Sequence, residues 1–389
     1  MRGLQSILSL IFCVSCLEPY APPVTPSPLG ALVVDGFVAA DGTAVIKLAR
    51  SIPLTSNGYT PREKGATVKI ESTTGGLFDL IETDSGTYTA SNVTIEGQDE
   101  YTLHVQTADG SEYISDRVQI YPTPPIDNVY FTVSSSGEEL EIRVDAHDDN
   151  PDATGFYLWD GLETFEYHAP IFVGFKFVNG RPLELETDEI MYTCWRDMIK
   201  PSVMLSTNYL TENLIKSHQV AIIAKGSEKI SVRYSILIKQ RAISEAEYAF
   251  RTQVQNSTEQ QGSLFSVIPG TVVSNVHSLT NSNEYVLGYF RAQHVQERRF
   301  FIDRSDLPPS FLVPQPSSGC QTEQTCAIVD GGPGSGRINC IPLELLGSDA
   351  LITSANTDGR GVVLSYNFVT AGCGDCRMSG GTIVRPPFW

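Results

Sequence analysis

Positive charge is scarce in this chain. Across 389 residues, 27 Lys and Arg stand against 45 Asp and Glu, a formal net charge of −18 at pH 7. No basic block or stripe is present to neutralise phosphates, which argues against a nucleic-acid role. After the first fifteen residues no apolar run approaches the length of a membrane-spanning helix. The six histidines, at 104, 147, 168, 218, 277 and 294, are scattered and form no H-E-x-x-H. A G-x-S-x-G elbow is also missing. The glycine run Gly331-Gly332-Pro333-Gly334-Ser335-Gly336 has no Lys-Ser/Thr after it, so it reads as a surface loop and not a phosphate loop. Cysteine is absent from the whole stretch between Cys16 and Cys194.

What is present begins at the first residue. Met1-Arg2 carries a positive charge, Leu4 to Val14 is apolar, and Ser15-Cys16 follows. Residues 1–15 read as a lipoprotein signal peptide, too short for a permanent span. A small residue before Cys16 suits cleavage there, with the thiol carrying a diacylglyceryl group. Cys13 is the poorer acceptor because bulky Phe12 precedes it. The alternative is an ordinary signal peptide with a chance cysteine. Residues 16–30 are Pro-rich and form a stiff tether between the lipid and the body. An acidic surface keeps such a body off anionic lipid.

From residue 31 the pattern is short alternating runs broken by Gly, Asp and Asn. In ATVKIES, Val68 and Ile70 share one face and Lys69 takes the other. Seven such runs up to Tyr121-Pro122 predict an antiparallel sandwich over 31–122. The prolines at 124 and 125 cannot continue a ladder and mark a boundary. A second sandwich is expected over 123–306, with NVYFTVSSS, ELEIRVDAHD, GFYLWDG and ETFEYHAP as four strands. IFVGFKFV, MYTCW, QVAIIAK and KISVRYSILIKQ continue it. Trp159 suits the buried aromatic of an immunoglobulin- or fibronectin-III-like fold. One inserted helix is predicted over 244–258, where Ser244 and Glu247 form a capping box and Ala246, Tyr248, Ala249, Phe250 and Val254 are helix-spaced. The fold class is thus mostly β: two tandem antiparallel sandwiches, one helix and a disulfide-rich C-terminal tail.

The tail, 307–389, holds Cys320, Cys326, Cys340, Cys373 and Cys376, and Cys194 makes the exported cysteines even in number. Its weak apolar pattern predicts that it packs on the second sandwich, with Phe388 and Trp389 docked. Two disulfides are expected within it, and a third from Cys194 to a tail cysteine. The Cys373-x-x-Cys376 spacing is read as structural here. A zinc site with Cys320, Cys326 and Cys340 is the weaker alternative.

Several segments together resemble a known family. They include CLEPY at 16–20, LVVDGFV at 32–38, LARSIPL at 48–54, GATVKI at 65–70, ETDSGTY at 82–88 and EYTLHVQTADGSEYIS at 100–115. YTCW at 192–195, YSILIKQRAISEAEYAF at 234–250, GSLFSVIP at 262–269, VLGYFRAQHVQERRFFI at 286–302 and CGDCRMSGGTIVRPPFW at 373–389 continue the series. The chain is similar over its whole length to the exported Bacteroidota lipoproteins of domain of unknown function family 4249. It departs in having Ser274-Asn275 where Gly-Asn is usual, and an expanded region from Cys320 to Cys340. The resemblance implies an outer-membrane lipoprotein found beside TonB-dependent transporters, and it supplies no catalytic residues.

Two constellations remain. Asp145, Asp148, Asp149, Asn150 and Asp152, with His147 among them, offer oxygen ligands for Ca2+. They lack the Gly and distal Glu of an EF-hand, and a solvated turn is the preferred reading. Tyr157, Trp159, Phe165, Tyr167, Phe172, Phe175 and Phe177 either fill a core, the preferred reading, or stack on sugar rings. The expected function is that of a non-catalytic accessory protein, lipid-anchored at the outer membrane and facing the cell exterior. Glu18, two residues after Cys16, is compatible with an acidic surface-export signal. A TonB-dependent transporter is the expected partner in nutrient capture, with no cofactor beyond the Ca2+ candidate. A stand-alone glycan- or peptide-binding module is the alternative, and a hydrolase the least favoured.

Overall fold

The computed structural model describes residues 30–52, 59–95, 99–150, 153–178, 181–208, 213–259, 274–312, 319–326, 350–357 and 363–389. The leader, the tether with Cys16, Asp152, the 331–336 glycine run and Cys340 lie outside the described residues.

The chain is mostly β, as its alternation predicts. The first sandwich contains β1 (Leu32–Ala39), β2 (Ala44–Arg50), β3 (Thr67–Ser72), β4 (Leu77–Asp84), β5 (Thr87–Ala90), β6 (Glu100–Gln106), β7 (Glu112–Ser115) and β8 (Val118–Gln119). In β3, Val68 and Ile70 are buried while Lys69 pairs with Asp79 outside. The corner between its two faces is β4, which pairs β3 through Leu77–Leu80 and β5 through Ile81–Asp84. One strand thus serves both layers.

Two further strands of this sandwich come from far along the chain. β17 (Val276–Ser278) adds to β7, and β18 (Leu287–Gln293) adds to β1 in parallel. The second-domain range 123–306 is therefore corrected: residues 276–293 belong to the first sandwich. Val276, Val286, Phe290 and Ala292 are buried in its core beside Ile46, Tyr101 and Leu103. Gly288 permits the parallel pairing, because its φ is +92° and a Cβ there would sit 1.9 Å from the Val34 carbonyl oxygen. Asn275, at the family departure, closes the seam between the two added strands. Its carboxamide donates to the Phe290 carbonyl at 2.8 Å and accepts from the Phe290 N–H at 2.9 Å, standing in for a neighbouring strand.

The second sandwich packs β9 (Ile126–Val133), β10 (Glu139–His147) and β15 (Leu214–Ala224) against β11 (Phe156–His168), β14 (Thr193–Ser206), β16 (Arg233–Ala242) and β19 (Gln296–Asp303). Trp159 lies fully inside, its indole N–H on Gln240 Oε1 at 2.8 Å. The expected break at Asp160-Gly161 is overturned. GFYLWDG and ETFEYHAP form one thirteen-residue strand, and the Asp-Gly pair is a bulge against β14. Asp160 is held by Arg241 and Ser202 and initiates no turn. At the inter-sandwich boundary Thr123 donates its N–H to His294 Nδ1 at 2.9 Å and its hydroxyl to the His294 carbonyl at 2.7 Å.

The tail forms more regular structure than its composition suggests. β20 (Glu323–Cys326), β21 (Ala350–Thr357) and β22 (Val363–Thr370) join β12 (Phe175–Val178) and β13 (Arg181–Glu184) in a five-stranded sheet. IFVGFKFV is thus corrected from the second sandwich to this third sheet. Among the described residues its core cluster consists of Ile352, Tyr366 and Phe368.

Candidate functional site

The helix α1 (Glu245–Glu259) starts where the sequence places it, within a residue of each predicted end. Ser244 Oγ accepts the Glu247 N–H at 3.0 Å, a side-chain N-cap. The acid of the predicted capping box goes elsewhere. Glu247 is buried and accepts from Arg251, one turn on, at 2.8 Å. Tyr248 packs on Phe156 and Phe250 on Tyr289, each at a ring-centroid distance of 4.9 Å. The helix is thereby pinned to both sandwiches. Ala246 and Ala249, read from spacing as core, are exposed.

The two alanines line a cavity of about 360 Å3 between α1, the β7–β8 region and β18. Phe250 and Tyr289 give it an aromatic wall, Asn275 part of its floor, and Arg117 and Arg291 its cationic groups. The Nε of Arg291 is buried with no hydrogen-bond partner among the described residues, while its Nη1 reaches Asp35 at 2.9 Å. Beneath the helix Arg241 is buried between Asp160 and Gln293. Burial pulls the Arg241 guanidinium below its usual range, opposed by the Asp160 charge. Burial would raise Asp160, but Arg241 beside it prevails and holds the carboxyl below the ordinary value. Desolvation raises the Tyr289 phenol, which keeps it a neutral wall. The two serines of the lining, Ser244 and Ser274, have no histidine or cysteine beside them in that lining. The arrangement suits holding a small polar molecule against aromatic rings.

A second exposed feature lies at the start of the third sheet. His168 stacks on Tyr192 at 4.6 Å, and Phe172, half exposed, meets Tyr192 edge-on at 5.4 Å. Of the aromatics singled out from sequence, Tyr157, Trp159, Phe165 and Tyr167 are core residues and Phe172 is not.

The remaining candidates are dispersed. Asp145 accepts the Ser217 N–H at 2.7 Å. Asp148 accepts the Tyr157 hydroxyl at 3.0 Å, and it also caps the Asn150 N–H. Asp149 is exposed. These carboxylates are engaged by local backbone and side-chain groups, as in the solvated-turn reading, and Asp152 lies outside the described residues. No group of three or more His, Cys, Asp or Glu among the described residues could hold a metal ion. His147, within the same stretch, has its pKa raised by its hydrogen bond to Asp127 at 2.6 Å.

Cys194 is bonded to Cys376 and Cys320 to Cys373. The C-x-x-C pair is therefore split between two bridges. Cys326 ends β20, and its bonding, like that of Cys340, falls outside what is described. The tail is sewn to the second sandwich around the first bridge. Tyr167 donates to the Cys376 carbonyl at 2.8 Å, and Trp195 and Thr382 exchange backbone hydrogen bonds. Gly381 allows this approach, since a Cβ would fall 2.3 Å from the Tyr167 hydroxyl. At the C-terminal end Trp389 donates its indole N–H to Glu166 at 2.8 Å, under the Arg233 guanidinium. Phe388 lies beneath Arg299.

The cavity residues that sequence reasoning missed are Asn275, Tyr289, Arg291 and the buried Arg241 beside them. Only Arg241 left a local trace, a charged residue within the strongly apolar run YSILIKQRAI.

The family described as Domain of unknown function (DUF4249) matches residues 17–299. No curated protein matches this chain. Among solved structures, trypsin-activated alpha-2-macroglobulin from Escherichia coli is similar at 9% identity and a TM-score of 0.18. The match covers 56% of this chain and 15% of that one. The FN1–FN3 domains of chicken CNTN1 are similar at 14% identity and a TM-score of 0.18, covering 55% of this chain and 62% of that one. Likenesses this distant carry no argument about function.

Proposed function

This chain belongs to the DUF4249 family, and on that premise we propose that it is a non-catalytic, lipid-anchored accessory protein of the outer membrane. It faces the cell exterior and works with a TonB-dependent transporter in nutrient capture. The observation that carries the reading is the order Met1-Arg2, apolar run, Ser15-Cys16, Pro-rich tether and then a β-rich body. In this reading attachment rests on the Cys16 lipid; no helix among the described residues is long and apolar enough to cross a membrane. The cavity between α1 and the two sandwiches is the site at which a captured solute would sit.

Co-purification from native membranes in mild detergent tests the partner. A β-barrel transporter should come with the tagged protein, and its absence would remove the main support. Cys16→Ser should move the protein from the membrane to the soluble fraction. Protease added to intact cells should degrade the wild type, and protection would place it on the inner side. The second reading, a stand-alone glycan- or peptide-binding module, is favoured by the exposed Phe172 beside Tyr192 and His168. Glycan- or peptide-array binding by the protein without any transporter would select it.

A further inference from the structure

At the centre of the second sandwich is a carboxyl group where the strand pattern calls for an apolar side chain. Glu163 lies on β11 between Gly161 and Phe165, on the face that also buries Trp159 and Tyr167, and it is 0% exposed. An unpaired carboxylate there would be prohibitively costly. Two groups meet it. Lys229 places Nζ 2.5 Å from Oε2, and Tyr234, fully buried on the neighbouring strand β16, donates its hydroxyl to Oε1 at 2.7 Å. Lys229 arrives from the short turn 228–230 between β15 and β16, anchored by buried Ile230. Other charges nearby have partners of their own. Arg196 lies over the Phe165 and Tyr167 rings and binds Glu228, and Arg304 donates to the Ser231 carbonyl.

We propose that Glu163 and Lys229 are joined by an amide bond, an intramolecular cross-link between the middle of β11 and the β15–β16 turn. The chemistry needs no co-reactant. A proton passes along the hydrogen bond from Nζ to Oε2, and Nζ then attacks Cδ, forming the N–C bond while the C=O electron pair moves onto Oε1. The Tyr234 hydroxyl is placed to stabilise that oxyanion. On collapse the Cδ–Oε2 bond breaks. Oε2 leaves as water, taking its own proton and one from Nζ, and the amide keeps one N–H. No atom changes oxidation state. Fixed, water-poor proximity of this kind is equivalent to about 10^5–10^8 M of reactant. Burial raises the Tyr234 phenol well above its ordinary value, so the hydroxyl keeps its proton throughout.

Peptide mapping of the full-length protein purified from membranes, after reduction, tests this directly. The expected result is a branched peptide carrying residues 163 and 229, lighter than the two separate peptides by one water and dominant over them. Lys229→Arg keeps a cation for Glu163 and should abolish the branched peptide. Tyr234→Phe should lower its yield. Recovery of the wild-type Glu163 and Lys229 peptides unlinked, or loss of water located elsewhere, would overturn the proposal. The mapping reads the wild type itself, so its outcome holds even if a variant fails to fold. It is also independent of any transporter.

Discussion

The two sandwiches solve the same problem by different means. The first has a core drawn from apolar and tyrosine side chains, from Leu32 to Ala292, and closes its last seam with one carboxamide, Asn275. The second buries Glu163, Gln240 and Arg241 and is held to its tail by a disulfide from Cys194. The first is completed by strands that return from residue 276, and the second by covalent staples. The added strands pair the outer backbone of β1 and β7, whereas the disulfide fastens the second sandwich to its tail without pairing a strand edge. The route chosen follows what each region has available. The sandwich that receives two extra strands contains no cysteine, whereas the one joined to a tail with a small core of its own does.

Breaking the staple should have the largest effect. Cys194 and Cys376 are 182 residues apart, a loop for which chain entropy assigns about 5 kcal/mol. Replacing both by Ala should lower the denaturation midpoint read by tryptophan fluorescence. Trp159 and Trp195 are in the second sandwich and Trp389 docks on it, so this probe reports that side of the comparison alone. Asn275→Ala tests the other side. It strands the buried N–H and C=O of Phe290 and should cost about 2–4 kcal/mol. The change should appear as lost hydrogen-exchange protection in β17 and β18, with β11 and β16 little altered.

Much of this contrast was invisible in the sequence. Alternation revealed most strands, since each strand face is a local pattern, and Ser244 revealed the helix start. The parallel pairing of β18 with β1 joins residues more than 250 positions apart and leaves no local mark. The Asp160-Gly161 bulge uses the same dipeptide as a hairpin turn, so the sequence reads as a break. Only the partners Arg241 and Ser202 settle it. The cavity was illegible for a similar reason. Ala246 and Ala249 fit a helix-core spacing, but they face open space because Tyr248, Glu247 and Phe250 take the packed positions.

Smaller effects sharpen the account of the tail. Trp389→Ala removes the indole bond to Glu166 and the ring under Arg233, and should cost about 1–2 kcal/mol. The expected consequence is faster proteolysis after Thr382, with the Cys194 bridge retained. The weakest effect concerns His147. Its pKa is raised above the ordinary 6.5 by the bond to Asp127, so the folded state holds its proton more tightly than the unfolded state. That contribution is fully present below about pH 6.5 and is lost as pH rises through the higher folded value. His147→Gln should flatten the stability profile in that window and leave it unchanged well above. An equal slope in the variant would assign the dependence to other groups.

The central claim is that the first sandwich is incomplete without residues 274–293. The most direct measurement is thermal unfolding, by far-ultraviolet circular dichroism, of residues 30–122 alone and of the same fragment joined by a flexible linker to 274–293. The account predicts no cooperative transition for the first and a cooperative one for the second. A cooperative, similarly stable transition in 30–122 alone would contradict it.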